Sequence, residues 1–212
     1  MERKSEQVGE APCYGVSHPR IEWEKWIVSK VVLSEFISLD GVIEEPHKWH
    51  FPFTDAGTGQ YKFDELFAAG SLLLGRVTYE GFAAAWPLMT DEQGFADRMN
   101  SLPKYVVSST LESADWNNST VIRENVVEEI MRLKEEPGLD ILIYGSAELA
   151  NSLVPHGLID EYRLMVHPIV VGRGKRLFSE GLDTTTLKLV ETQTFSKGVV
   201  VLTYAPADAA SE

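Results

Sequence analysis

Residues 72–80 constrain the fold more than any other part of the chain, because they predict a buried strand that leads directly into a helix. Residues 72–74 are three leucines, which suit a strand covered on both faces, and Gly75 permits a tight exit. Thr78 is predicted to cap the helix. The free N–H groups at its start favour an anion, and Arg76 can bind a phosphate through two hydrogen bonds. The alternative is an ordinary strand–turn–helix junction with an Arg on its surface.

A second strand and helix are joined in a similar way later in the chain. Residues 139–144 predict a buried strand, and residues 148–154 predict a helix. Gly145, Ser146 and Ala147 lie between them, and such small residues let the diphosphate of a ligand approach the backbone. This junction is therefore a second candidate anion site.

Strands alternate with helices in the first two thirds of the chain, and strands alone follow. The predicted strands before the second junction lie at 30–38, 72–74, 104–108 and 120–123. The predicted strands after it lie at 161–171, 188–195 and 199–204, and Gly198 suits a hairpin between the last two. This order predicts an α/β domain with a mostly parallel sheet that becomes antiparallel at its end.

The length of 212 residues is enough for one substantial core, and we expect a single domain at 30–205. Residues 1–29 are interpreted as an N-terminal extension, with the alternative that translation naturally begins near residue 28. Residues 206–212 are expected to form a disordered tail.

The charge balance excludes one class of partner. The chain has 19 Lys and Arg against 32 Asp and Glu, a net charge of −13, whereas nucleic-acid surfaces concentrate positive charge. No apolar run reaches the roughly 20 residues that span a membrane, and no signal peptide is evident. Cys13 is the only cysteine and can form no intrachain disulfide. We therefore expect a cytoplasmic protein that binds neither nucleic acid nor membrane.

Residues 44–59 form a long segment with several aromatic residues, which suggests a lid or a pocket wall. His47 and His50 are three residues apart and could share one helical turn as metal ligands. No third ligand is evident and prolines flank the pair, so no metal site is predicted.

Six short motifs follow one another in a recognisable order. They are residues 38–43 (SLDGVI), 74–80 (LGRVTYE), 105–109 (YVVSS), 144–149 (YGSAEL), 158–162 (LIDEY) and 167–174 (HPIVVGRG). Together they resemble the dihydrofolate reductase-like fold, and specifically the reductase domain of riboflavin biosynthesis with its stand-alone bacterial relatives. The resemblance covers roughly residues 30–205 and implies a three-layer α/β/α domain.

The resemblance implies that NADPH is the cofactor. It places Arg76 near the 2′-phosphate or the diphosphate, Thr78 on the diphosphate, and Ile43 beside the nicotinamide. The residues that it assigns to the cofactor are Ile43, Gly75, Arg76, Thr78, Ser108, Ser109, Gly145, Ser146, Ala147 and Leu149. Ser108 and Ser109 close around the adenosine end in this comparison.

The resemblance identifies the proton donor less directly. Dihydrofolate reductases carry a carboxylate in the helix after the first loop, but Asp64 does not fall clearly on the pocket side, and Asp64 and Glu65 are predicted to be exposed. Asp40 is the candidate donor or orienting group, with the alternative that it only caps its turn. The candidate substrate-binding residues are Trp49, Phe63, Phe67 and Tyr144, and the three former could equally be core aromatics.

The motifs imply an NADPH-dependent reductase that transfers hydride to a small heterocyclic (pteridine- or pyrimidine-like) or carbonyl substrate. A single cysteine outside the matched region leaves no ligands for the zinc deaminase domain of the riboflavin pathway enzyme. The alternatives are an NADP(H)-binding module without turnover and a genuine dihydrofolate reductase. The cluster of Arg173, Lys175 and Arg176 could bind a substrate phosphate or form a solvated hairpin. Relatives of this kind also suggest a homodimer.

Overall fold

A computed structural model describes residues 28–207, so the predicted extension before residue 28 and the end of the predicted tail lie outside the described residues. The strands are β1 (Val31–Ser38), β2 (Ala69–Gly75), β3 (Lys104–Val107), β4 (Ser119–Ile122), β5 (Asp140–Tyr144), β6 (Glu161–His167), β7 (Leu187–Thr194) and β8 (Val200–Pro206). The α-helices are α1 (Ala56–Ala68), α2 (Arg76–Ala85), α3 (Phe95–Ser101), α4 (Val126–Glu135) and α5 (Ala147–Leu153). No helix within the described range is long and apolar enough to cross a membrane.

All eight strands form one sheet in the order β4-β3-β2-β5-β1-β6-β8-β7. Neighbouring strands from β4 to β6 are parallel, whereas β8 runs antiparallel to both β6 and β7. The predicted fold class, a mostly parallel sheet with an antiparallel C-terminal hairpin, is confirmed.

Helices cover both faces of the sheet because the parallel strands are apolar on both sides. Val31 and Leu33 of β1 pack in the cluster that contains Ile130 of α4 and Leu153 of α5. Val32, which points to the opposite face, packs in the cluster that contains Leu66 of α1 together with residues of α2 and α3. The predicted three-layer α/β/α architecture is therefore confirmed.

The parallel arrangement brings the candidate cofactor segments to one edge. Because β1, β2, β3 and β5 run in the same direction, their carboxyl ends share an edge of the sheet. Residues 75–78 follow β2, residues 108–109 follow β3 and residues 145–147 follow β5. Ligands of open α/β sheets bind in the crevice outside such carboxyl ends.

Two predicted helix starts are wrong. α2 begins at Arg76, with Gly75 as its N-cap, so Thr78 does not cap the helix but lies within its first turn. The apolar residues of 61–69 predict a helix that starts at Tyr61, but α1 begins at Ala56, because Asp55 and Thr58 form a reciprocal capping box. The Thr58 N–H donates to Asp55 Oδ1 at 2.9 Å, and the Asp55 N–H donates to Thr58 Oγ1 at 2.9 Å.

Candidate functional site

The two candidate anion segments form one hydrogen-bonded structure, which we call the cradle (residues 75–78 and 145–147). The Gly75 N–H donates to Ser146 Oγ at 2.9 Å, and Ser146 Oγ lies 2.8 Å from Thr78 Oγ1. A Cβ at Gly75 would lie 2.5 Å from Ser146 Oγ, so only glycine fits at this spacing. The absence of a side chain at Gly75 therefore lets the ends of β2 and β5 meet.

The cradle also contains an unusual backbone conformation. Gly145 has φ +67° and Ser146 has φ +74°, so two consecutive residues lie in the left-handed region. A serine there costs of order 1–3 kcal/mol, and residues in such conformations cluster at ligand sites. This backbone presents the Ser146 hydroxyl to both Gly75 and Thr78.

The first turn of α2 adds an anion-favouring element to the cradle. Among residues 28–207, no side chain caps this ten-residue helix, so none of their carboxylates covers its first N–H groups or its positive dipole end. Arg76 is 44% exposed and pairs with Glu80 one turn later, with N–O distances of 2.9 and 3.0 Å. An exposed pair of this kind is weak, so the Arg76 guanidinium is available to a phosphate.

The remaining predicted cofactor residues lie at the same edge without joining the cradle's hydrogen bonds. Ser108 is buried, and its Oγ accepts from the N–H groups of Thr110 and Leu111, whereas Ser109 is exposed. Ile43 is buried and its N–H donates to the Lys175 carbonyl at 2.9 Å. Ala147 and Leu149 start α5, and both pack in the hydrophobic core.

A cavity of about 690 Å³ lies beside β1, β6 and α1. Residues that line it include Phe36, His50, Lys62, Phe63, Trp86 and His167. His167 ends β6 and Phe36 lies near the end of β1, so this part of the wall is close to the sheet edge that carries the cradle. The volume suits a small-molecule ligand.

Of the four predicted substrate residues, only Phe63 is among the described residues that line this cavity. Phe63 lines it, and Phe67 stacks on Phe63 with ring centroids 4.1 Å apart but is 41% exposed. Trp49 is buried and contacts the ring of His167 edge-on at 5.3 Å. Tyr144 is buried, and its hydroxyl donates to Glu65 Oε2 at 3.0 Å.

Glu65 is the centre of a buried polar cluster between α1 and the sheet. Its Oε2 accepts from Ser34 Oγ at 3.0 Å, from Tyr144 and from the Lys62 ammonium, and Arg163 Nη1 lies 3.5 Å from its Oε1. Burial raises the pKa of Glu65, but the positive charge of Lys62, its hydrogen bond and Arg163 outweigh burial and hold that pKa below its usual range. The same carboxylate is therefore ionised at neutral pH, although it is only 5% exposed.

Sequence reasoning missed Lys62 and Glu65. The expectation that Asp64 and Glu65 are both exposed is correct for Asp64, which accepts from Gln60 at 2.8 Å, and wrong for Glu65. Thr58, Lys62 and Glu65 are spaced by four and three residues, so they share one face of α1. This spacing was the available signal, but it required the earlier helix start at Ala56.

Asp40 is held by the loop that follows β6. Its Oδ1 accepts from Ser38 Oγ at 2.7 Å and from the Val171 N–H at 3.0 Å, and its Oδ2 accepts from the Gly172 N–H at 2.8 Å. The bond from Ser38, followed by the backbone bonds, lowers the pKa of Asp40 to about 2. An ionised carboxylate with these contacts has no proton to donate, which favours the alternative that Asp40 caps its turn.

Two members of the basic cluster contact groups of the protein. The Arg176 Nε–H donates to the Asp40 carbonyl at 2.8 Å, and the Lys175 ammonium pairs with the exposed Glu148 carboxylate. Residues 28–207 contain no group of three or more His, Cys, Asp or Glu side chains arranged to hold a metal ion.

Comparisons with known proteins give the family and the fold of the chain. Residues 29–201 match the family model described as the RibD C-terminal domain. The chain is 35% identical over 181 residues to the uncharacterized protein YyaP of Bacillus subtilis, covering 82% of this chain and 94% of that protein.

Solved structures share the fold at low identity. A candidate riboflavin biosynthesis protein from Shewanella sp. PV-4 has a TM-score of 0.69 and 19% identity, over 84% of this chain and 99% of that one. Dihydrofolate reductase from Enterococcus faecalis, in a complex with NADP(H), has a TM-score of 0.59 and 19% identity, over 86% of this chain and 99% of that one.

Proposed function

This chain belongs to the RibD C-terminal domain family, and on that premise we propose that it is an NADPH-dependent reductase of a small heterocyclic or carbonyl substrate. The family and its structural neighbours support a reductase fold, and one neighbour was solved with NADP(H). The observation that carries the proposal is the cradle, in which Gly75, Thr78 and Ser146 meet at the adjoining ends of β2 and β5.

The cradle suits a dinucleotide diphosphate for two reasons. Gly75 and Gly145 carry no side chains, so a ligand can approach the backbone closely, and the start of α2 favours negative charge. Arg76 begins that helix and would bind the 2′-phosphate that distinguishes NADPH from NADH, because a guanidinium binds phosphate with two parallel hydrogen bonds.

The cavity favours an enzyme that reduces a substrate, rather than an NADP(H)-binding module without activity. NADPH, when bound, supplies the hydride, and the protein has to position the acceptor and exclude water. A cavity of about 690 Å³ next to β1 and β6 has room for an acceptor in addition to the cofactor cradle. NADPH oxidation that a substrate stimulates distinguishes an enzyme from an NADP(H)-binding module without turnover. Rescue of a strain that lacks dihydrofolate reductase tests whether the protein is a genuine dihydrofolate reductase.

The experiment that tests the cofactor is a titration of NADPH and NADH against the wild type and Arg76→Ala. The matched control is Arg132→Ala, because Arg132 also forms exposed pairs with Glu129 and Glu136 on a helix, away from the cradle. We expect the wild type to prefer NADPH, and Arg76→Ala to lose about tenfold or more in NADPH affinity, since a hydrogen bond to a charged group contributes roughly 1.5–3 kcal/mol.

NADH affinity should change much less in Arg76→Ala, and Arg132→Ala should match the wild type with both nucleotides. If neither nucleotide binds the wild type, the cradle is not a cofactor site and the proposed reductase activity is wrong. If Arg76→Ala loses equal affinity for NADPH and for NADH, Arg76 binds the diphosphate and not the 2′-phosphate.

The predicted homodimer stays a prediction. β7 forms an edge of the sheet, and its Leu189 and Val190 are 48% and 60% exposed. Exposed apolar residues on an edge strand are compatible with pairing between chains. Measuring the mass of the protein in solution tests whether it is a homodimer.

A further inference from the structure

Several aromatic side chains line the cavity, among aliphatic and polar ones. Phe36, Phe63 and Trp86 line it, and the ring of His50 stacks on Phe36 with centroids 4.7 Å apart. Aromatic side chains favour offset-stacked or edge contacts with another flat ring. These walls therefore suit a flat, unsaturated ligand.

Among the described residues 28–207, few of the side chains that line the cavity carry a charge. The pKa of His50 is lowered to about 4 by burial and then by the neighbouring His167 and His47, and burial also lowers the pKa of His167, so both rings are neutral at neutral pH. Asp91 lines the cavity, but its carboxylate accepts three backbone N–H groups around the start of α3. Lys62 is the one lining side chain that can carry a positive charge at neutral pH.

Lys62 is held in place at the cavity by the cluster around Glu65. Its Nζ donates to Ser34 Oγ at 2.9 Å and to the Glu65 carboxylate, and it lies 4.1 Å from the centroid of the Tyr144 ring. An ammonium group has three N–H donors, and only two of them have oxygen acceptors among the described residues. The side chain is 15% exposed, so one donor remains for a ligand in the cavity.

We propose that Lys62 is the catalytic acid of this cavity, and that it binds and protonates the carbonyl oxygen or imine nitrogen of a flat, unphosphorylated acceptor. This inference rests on the proposed function. The acceptor carbon gains the hydride that NADPH supplies, the π pair of the C=O or C=N bond moves to the heteroatom, and the heteroatom takes a proton from Lys62 Nζ. NADPH is oxidised to NADP⁺, the acceptor is reduced to an alcohol or amine, and water returns a proton to the neutral lysine.

The substrate class follows from the charges. A phosphate needs several cations or an unpaired one, and the described residues that line the cavity offer only Lys62, which is already paired with Glu65. An uncharged carbonyl or imine needs a single hydrogen-bond donor, which Lys62 can provide. The cavity therefore favours a flat acceptor without a phosphate over a ribosyl phosphate.

The surroundings of Lys62 lower the pKa of its ammonium group. Burial lowers the pKa of Lys62 and outweighs the opposite effects of Glu65 and Glu35, and the charge of Arg163 lowers it further. Tyr144 packs against the ammonium, and His50, His167 and Asp91 are the other titratable residues of the cavity lining. An acid with a pKa nearer to the working pH transfers its proton more efficiently.

The test compares Lys62→Met and Lys62→Arg with the wild type, and Lys188→Met is the control because Lys188 is exposed on β7. The probes are dihydrobiopterin, phenanthrenequinone and an aminopyrimidine that carries a ribosyl phosphate. NADPH oxidation is followed against pH, and phenanthrenequinone binding is measured by calorimetry without NADPH. We expect Lys62→Met to lower kcat about 100-fold or more, as general acids contribute in other enzymes, and to weaken probe binding.

Two further readouts separate catalysis from support of the fold. The wild-type kcat should fall as pH rises through the pKa of Lys62, and this fall should disappear in Lys62→Arg, because a guanidinium keeps the charge but does not release its proton. The double variant Lys62→Met/Glu65→Gln removes the Glu65 carboxylate that Lys62→Met leaves without its ammonium partner, so it keeps the fold if the single variant loses it. Its kcat should remain low.

The outcomes distinguish this inference from the proposed function. A wild type that does not bind NADPH refutes the reductase itself. A wild type that binds NADPH but reduces no flat probe, or reduces the phosphorylated pyrimidine best, overturns the inference alone. The inference is also overturned if the double variant keeps the kcat of the wild type, or if its kcat still falls at alkaline pH as the wild-type kcat does.

Discussion

Gly75→Ala is the substitution that probes the cradle most directly. The backbone of Gly75 has φ −78° and ψ 159°, which alanine adopts without strain, so only contacts decide the result. The new Cβ would lie 2.5 Å from Ser146 Oγ and 2.9 Å from Ser146 Cβ, closer than such atoms can approach. Residues 75 and 146 must therefore move apart, and the bonds from Gly75 and Thr78 to the Ser146 hydroxyl are lost or stretched.

The magnitude can be worked from these contacts. Two hydrogen bonds contribute roughly 1 kcal/mol each, and overpacking adds about 1–3 kcal/mol. Alanine lowers the entropy of the unfolded chain, and this offsets about 0.4–1 kcal/mol of that cost. We expect Gly75→Ala to lower the free energy of unfolding by about 2–4 kcal/mol and to weaken NADPH binding, because both halves of the cradle shift.

Urea unfolding and an NADPH titration measure the two effects. Gly81→Ala is the matched control, since Gly81 lies in the same helix and a Cβ added there would have no atom of the described residues within 4 Å. Alanine at this position should stabilise the helix by roughly 0.5–1 kcal/mol. Ser146→Gly combined with Gly75→Ala removes both clashing atoms and suits φ +74°, so it should recover part of the stability. If Gly75→Ala has the same stability and NADPH affinity as Gly81→Ala, Gly75 and Ser146 do not approach each other this closely.

Two further predictions concern buried ionisable residues. Burial raises the pKa of Glu35 to about 8 from 4.5, so the folded chain holds a proton that the unfolded chain loses, and stability should fall as pH rises through this window by up to about 1.4 kcal/mol per pH unit. Glu35→Gln should remove that slope in urea unfolding at about pH 5 and about pH 8, and an equal slope in the variant would contradict the assignment. Lys104 is 1% exposed and donates to the carbonyls of Asn100, Leu102 and Asn117. Lys104→Met should cost about 3 kcal/mol in urea unfolding because three carbonyls lose their donor, and a cost near zero would show that water replaces it.

The polar cluster around Glu65 links the fold to the candidate chemistry. Ser34 of β1, Lys62 of α1, Tyr144 of β5 and Arg163 of β6 all contact this one carboxylate. Hydrogen bonds to Glu65 Oε2 hold Ser34, Lys62 and Tyr144 in position, whereas Glu65 Oε1 has no hydrogen-bond partner among the described residues and lies 3.5 Å from Arg163 Nη1. Lys62 can therefore face the cavity from a rigid position on a helix, which suits a group that has to meet a substrate atom.

Local sequence determined most of the secondary structure and half of the site. The apolar period of residues 126–135 and the Pro137-Gly138 pair after them predict a helix with the same bounds as α4, because such signals act over a few residues. The motifs around Gly75 and Gly145 marked the cradle for the same reason, since small residues at a strand end restrict the conformation of the next few residues. These motifs also identified the fold class, which the sheet order confirms.

Tertiary structure alone decided which of these residues touch and which carboxylate matters. Gly75 meets Ser146 across 71 positions of the chain, and Glu65 meets Tyr144 across 79, and no local pattern predicts such pairs. Glu65 was expected in solvent because charged helix residues usually lie there, but Lys62 and Arg163 compensate its charge inside the protein. The physical reason is that propensity and periodicity act between near neighbours, whereas the environment of a buried charge depends on partners that only the folded sheet brings together.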